Sequence, residues 1–233
     1  MHLTRFRLNT ARREGRELLG SPHRMHAAVA MSFPQLPARD GSGPRVLWRI
    51  DRNSTAEVVL FIVSPSRPDL THLVEQAGWP AASDTPGWQT YDYGSFLDRL
   101  SAGSTWTFRL TANPVHSIRR TDDEPRKRTA HLTARYQTAW LLDRQESSGF
   151  AVAEKPPAAR MLEHGDELQL VVRDKRDLRF AKAAERRTVS LTSITYDGRL
   201  TVTDPVALRR TLTQGLGKAK AYGCGLMTLA PVG

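Results

Sequence analysis

The sequence predicts an α+β protein built from two tandem ferredoxin-like (RRM-like) units, each with its elements in the order β-α-β-β-α-β. Three observations lead there. Short alternating or β-branched runs recur in both halves, a capped helix follows a strand in each, and each half ends on one more strand. A chain of 233 residues also suits two domains of roughly 110 residues better than one large core.

In the first half, residues 2 to 8 (HLTRFRL) alternate as a strand with Leu3, Phe6 and Leu8 apolar. Ser21 followed by Pro22 starts a helix, because a serine N-cap satisfies a free N–H and proline has none to satisfy. That helix is expected to run to about Phe33 and stop before Pro34. Val46 to Ile50 and Val58 to Val63 read as a hairpin around Asp51 to Ser54. Asp69 caps a short helix to Ala77, and QTYDY at 89 to 93 supplies the fourth strand.

The second half repeats the order. TWTFRLTA (105 to 112) is a strand, 136 to 147 a helix around Trp140, Leu141 and Leu142, and LQLVV (168 to 172) a strand. Residues 188 to 196 and 199 to 203 flank Asp197-Gly198, a dipeptide that favours a hairpin turn. Asp204 and Pro205 open a helix over 205 to 213, and Leu226 to Leu229 closes the sheet. The boundary is placed between Ser95 and Gly103, giving domains 1–95 and 104–233. A cleft between the two sheets would suit a polyanion. Residues 119 to 130 lack periodicity and read as solvated charge, and 174 to 187 as a basic loop or short helix.

Charge points to the partner. With 34 Lys and Arg against 24 Asp and Glu the formal charge is +10, which favours a nucleic acid because each cation placed on a phosphate releases a counterion. No run of about 20 apolar residues is present, and the Arg-rich start lacks a signal-peptide core, so a cytoplasmic protein without a membrane partner is expected. Cys224, the one cysteine, rules out an internal disulfide and reads as a small buried hydrophobe between Gly223 and Gly225.

Two constellations could carry chemistry. At about 100° per residue, His23, His26, Ala27 and Ala30 fall on one face of the Ser21 helix, and Met25, Ala28, Val29 and Ser32 on the other. Histidine can take or give a proton near neutrality, as RNA transesterification requires, although such a pair is also ordinary on a solvated surface. No third metal ligand stands near the pair, so neither metal nor cofactor is expected. The second constellation is QGLGKAKAYGCG (214 to 225), where Gly215, Gly217, Gly223 and Gly225 let a backbone approach phosphates while Lys218 and Lys220 add charge. Its spacing fits neither a nucleotide-hydrolase phosphate loop nor a dinucleotide fingerprint. Arg24, together with Arg173, Lys175, Arg176, Arg179, Lys182, Arg186 and Arg187, completes the basic set expected to touch RNA.

At these residues a resemblance emerges. The opening strand, the helix 21 to 34 with His26 inside, FRLTANP (108 to 114), the AW-L-L-D-R-Q helix before Gly149-Phe150, and GLGKAKAYGCGLMTLAP together resemble the CasE family, the endoribonucleases of type I-E CRISPR systems. The resemblance covers about half of the chain and is most specific in the terminal glycine-rich segment. It implies a metal-independent enzyme that binds the hairpin of CRISPR repeat RNA, cuts precursor RNA at the 3′ base of the stem by 2′-hydroxyl attack, and stays bound beside the other Cascade subunits. His26 aligns with the family's catalytic histidine. His23 stands where the family usually has tyrosine, and is grouped with His26 as able to orient phosphate or shuttle a proton. The alternatives are a non-catalytic RNA-binding subunit of a CRISPR ribonucleoprotein, a cyclic-phosphate esterase with paired His-x-Thr motifs, read at His131 to Thr133, and a single-strand reader using Phe6, Trp106 and Phe108.

Overall fold

The computed structural model describes residues 1–37, 43–80, 87–118, 127–162, 165–182 and 187–232, with the backbone alone at 181, 182 and 187. Its first half forms β1 (His2–Leu8), α1 (Arg13–Gly20), α2 (Pro22–Met31), β2 (Leu47–Arg52), β3 (Val58–Ser64), α3 (Thr71–Ala77) and β4 (Trp88–Asp92). The sheet order β2-β3-β1-β4, antiparallel throughout, is the ferredoxin-like arrangement. Alternation in β1 buries Phe6 and Leu8 and leaves Arg5 and Arg7 exposed. Under that face Met25, Ala28, Val29, Leu70 and Leu73 from the helices complete one core.

Sequence capping places the helices. The Ser21 hydroxyl accepts from Arg24 N–H at the start of α2, and the Asp69 carboxylate accepts from Thr71 N–H at the start of α3. The helix α1 has no counterpart among the expected elements, because its arginines read only as a charged N-terminus. It forms against β1, where a Cβ on Gly15 would lie 2.4 Å from the Asn9 carbonyl.

After α4 (Tyr93–Asp98), the second half runs β5 (Thr105–Ala112), β6 (Val115–Ile118), β7 (Lys127–Ala130), α5 (Ala134–Gln145), β8 (Phe150–Val152), β9 (Leu170–Lys182), β10 (Arg187–Val202), α6 (Pro205–Gln214) and β11 (Met227–Pro231). Its order β11-β5-β10-β8 repeats the ferredoxin-like pattern. Asp204 accepts from the N–H groups of Val206 and Ala207, as its place before Pro205 implied.

Four expectations for this half need correction. The second strand of the unit is Phe150–Val152, while 168 to 172 begins the longer β9, and the two strands lie end to end along the edge of β10 opposite β5. Asp197-Gly198 is not a turn: β10 runs straight through it. Asp197 is held by Arg109 on one neighbouring strand and Arg173 on the other, and a Cβ on Gly198 would meet the Gln169 carbonyl at 2.4 Å, so the glycine serves close approach. The described residues of 174 to 187 form neither a loop nor a helix. Arg176–Lys182 pairs with Arg187–Ser193 as a two-stranded arm, interrupted at Asp174, whose φ of 52° marks a bulge. The charged stretch 119 to 130 is also partly ordered, since Lys127–Ala130 pairs with Val115–Ile118, and 119–126 lie outside the described residues.

The halves share a core. Leu47 and Val63 of the first sheet pack with Tyr93, Leu97, Leu100, Leu110 and Leu226. Beside them Arg49, 1% exposed, is bonded by Nε and Nη2 to Asp51 (2.6 and 2.9 Å) and donates to the carbonyls of Arg109 and Leu226 and to Thr228 Oγ1. One guanidinium on β2 therefore ties β5 and β11 to the first sheet. Phe6 and Phe108 are core residues and Trp106 is partly buried against the shared core, which disfavours the single-strand reading through sheet aromatics. Among the described residues no helix is long and apolar enough to cross a membrane.

Candidate nucleic-acid interface

The α2 face predicted to pack does so, with Met25, Ala28, Val29 and Ser32 buried. The opposite face brings His26 and Ala30 to a groove of about 430 Å³ whose other wall is Gly217, Lys218, Ala219, Lys220 and Ala221. The two constellations, nearly two hundred residues apart in sequence, thus share one site. Arg45 and Val46, at the entry to β2, complete its floor. Sequence reasoning passed over Arg45, although a cation directly after a glycine- and proline-containing segment and before a strand was a visible signal.

The loop after α6 is fixed from beneath. Leu216 N–H donates to the Gly225 carbonyl, and Gly225 N–H to the Thr111 carbonyl on β5. All four of Gly215, Gly217, Gly223 and Gly225 have φ between 78° and 93°. At Gly217 there is a second constraint: an added Cβ would lie 2.9 Å from Cζ2 of Trp140, so the α5 tryptophan supports the loop from inside. The glycines therefore shape the loop, and its outer side is left to the lysines. Lys218 is exposed, whereas Lys220 is half-buried and donates to the Gly217 carbonyl at 2.7 Å. Burial, then the charges of Arg45 and Lys218, hold the Lys220 ammonium below its usual pKa, so an anion in the groove would relieve it.

Other residues expected at the site are distributed differently. His23, one turn before His26, is half-buried and absent from the groove lining. Arg24 is paired to Glu17, which also binds Arg13, on the far side of α2 beside Ala27 and His72. Arg173 is committed to Asp197 and Asp174. Burial raises the Asp197 pKa, but its bonds to Arg109 and Arg173 hold the carboxyl below the usual range. Lys175, Arg176 and Arg179 are exposed along β9, with Lys175 3.8 Å from Asp177. The side chains of Lys182 and Arg187, and all of Arg186, lie outside the described residues.

The arm carrying those cations lies along the N-terminal helices. Phe180 packs edge-on against Tyr222 of the glycine-rich loop at 4.9 Å, and Arg176 and Leu178 share a small cleft with Leu18, Pro22, Met25 and Arg52. Burial, then the charge of Arg176, brings the Arg52 pKa down to about 10. Cys224 is fully buried and its thiol is pushed up to about 12, so it takes no part in chemistry. Among the described residues no group of three or more His, Cys, Asp or Glu could hold a metal ion.

Fold and site define a class: a tandem ferredoxin-like protein with a histidine-bearing cationic groove where its halves meet. The family model for CRISPR associated proteins matches residues 1–231. The chain is 31% identical, over 99% of its own length and 100% of the relative's, to the CRISPR-associated endoribonuclease Cse3 of Thermus thermophilus. It is 27% identical to the Cascade subunit CasE of Escherichia coli over 58% of this chain and 62% of that one. It superposes with a TM-score of 0.74, at 28% identity and covering 99% and 98% of the two chains, on Thermus thermophilus Cse3 bound to an RNA representing a pre-cleavage complex. The chain belongs to the CasE (Cse3) family of type I-E CRISPR-associated proteins.

Proposed function

We propose that this chain is a metal-independent endoribonuclease that binds the hairpin of CRISPR repeat RNA, cuts precursor CRISPR RNA at the 3′ base of the stem, and keeps the product as a subunit of Cascade in the cytoplasm. The observation that carries the reading is the shared groove of His26, Lys218 and Lys220. Relatives named as an endoribonuclease and as a Cascade subunit support it. In this reading the domains 1–95 and 104–233 supply one wall each.

The chemistry needs a proton carrier and a cationic cradle. The ribose 2′-oxygen loses its proton and attacks the adjacent phosphorus, the bond to the 5′-oxygen breaks, and that oxygen leaves with a proton. The upstream product then ends in a 2′,3′-cyclic phosphate and the downstream product in a 5′-hydroxyl. His26 transfers a proton at this step, and Lys218 and Lys220 balance charge on the phosphate oxygens. The stem is held by the exposed cations of β9.

A 2′-deoxy substitution just upstream of the cut tests the chemistry. It should abolish cleavage and leave hairpin affinity intact, and cutting should persist in excess chelator. Cleavage of the deoxy substrate would overturn 2′-hydroxyl attack, and loss of activity in chelator restored by one divalent ion would overturn metal independence. His23 keeps a second reading open, a non-catalytic RNA-binding subunit, because it stands outside the groove where the family usually has tyrosine. RNA recovered whole after incubation would favour that reading.

A further inference from the structure

The His-x-Thr sequence at residues 131 to 133 contributes to a different feature. His131 lies against His116 of β6 with ring centroids 4.4 Å apart and planes tilted by 34°, and stacks against Tyr136 of α5 at 6.0 Å with an angle of 22° between planes. His116 is exposed and Tyr136 is 58% exposed, so the two outer rings of a three-ring cluster are accessible to solvent. Two hydrogen bonds hold the His131 backbone: its N–H donates to the Pro114 carbonyl, and the Gln137 side-chain Nε2 donates to its carbonyl.

We propose that His116, His131 and Tyr136 form a stacking platform for a nucleobase of single-stranded RNA. Every base presents a π-face to such a cluster, whatever its sequence. Charge complementarity selects RNA over an apolar protein segment. Lys127 shares the face of His116, because His116 pairs with Thr129 and Ile118 with Lys127, and Arg135, next to Tyr136 in sequence, is exposed. Burial, then the charges of His116 and Arg144, hold the His131 pKa below its usual value against the pull of Asp143, which keeps that ring neutral for stacking. The position is also apt: Tyr136 lies one turn, about 6 Å along the axis of α5, from the Trp140 that supports Gly217. The strand entering or leaving the groove is the natural occupant, an assignment that rests on the function proposed above, whereas base stacking itself does not.

The test measures binding of the full chain to three probes: a bare repeat hairpin, an unstructured oligoadenylate, and the same oligomer with abasic sugars. Wild-type protein should bind the oligoadenylate and discriminate against the abasic one. The double substitution His116→Ala and Tyr136→Ala should weaken oligoadenylate binding by roughly 5- to 150-fold, the usual effect of removing one base–ring stack. Tyr136→Phe should retain it. Equal binding of intact and abasic oligomers, or an unaffected double variant, would overturn the platform. If the protein ignores the hairpin while still discriminating between the oligomers, the function proposed above fails and the platform stands.

Discussion

At the seam between the sheets, Arg49, Arg109 and Arg173 each end on Asp51 or Asp197, whereas the groove gathers Lys218 and Lys220 around His26 with no carboxylate among its described lining residues. Both regions are cationic and both join the two halves. At the seam three arginines share two aspartates, and Arg49 is closed off from solvent, so its charge serves the fold. In the groove the lysines face no such carboxylate, and burial, then the charges of Arg45 and Lys218, hold the Lys220 ammonium below its usual pKa. A count of basic residues cannot separate the two, because sequence shows cations but not the carboxylates folded against them.

The largest effect expected from this contrast is at the seam. Asp51→Ala leaves the Arg49 guanidinium buried without its anion and should cost about 3–5 kcal/mol of unfolding free energy in a urea titration. A loss below about 1 kcal/mol would mean that the seam is solvated. Next is the loop support: Gly217→Ala adds a methyl against Trp140 at a left-handed φ, and should destabilise by about 1–3 kcal/mol while displacing the lysines. Unchanged stability with full RNA affinity would show that the loop does not need its present shape.

The two smaller effects concern RNA. Replacing Lys218 and Lys220 together by alanine should lower the salt dependence of hairpin binding, the log-log slope falling by roughly 0.7 to 0.9 for each phosphate no longer neutralised. An unaltered slope would remove both from the interface. Arg173→Ala should alter that slope least, because its guanidinium already belongs to Asp197, and should cost at most about 1 kcal/mol of stability as a partly exposed pair. A slope change as large as that of the lysines would break the comparison between seam and groove.

Local signals in the sequence carried much of the fold. Ser21-Pro22, Asp204-Pro205 and the alternation of residues 2 to 8 each mark an element that forms where they stand, since caps and periodicity act over a few residues. Asp197-Gly198 misled for the complementary reason: its turn propensity is overridden by two arginines on flanking strands and by the Gln169 backbone, all distant in sequence. The β9 strand of the arm was hidden because it is charged on exposed positions and so lacks an apolar period, whereas its partner at 188 to 196 was legible as a strand. At the site, helical spacing gave the packed face of α2 and hence the direction of His26, while its meeting with Lys218 and Lys220 depends on docking of the halves. Arg24 and Arg173 look equivalent to those lysines until Glu17 and Asp197 are placed beside them.

The central claim is that His26 moves a proton and the surrounding cations hold the RNA. Single-turnover cleavage of a repeat hairpin by His26→Ala, with affinity measured on the same preparation, separates the two roles. The rate should fall by roughly 10² to 10⁴ while the dissociation constant stays within about twofold of wild type. Cleavage at the wild-type rate, or a rate loss that merely follows weakened affinity, would contradict the account.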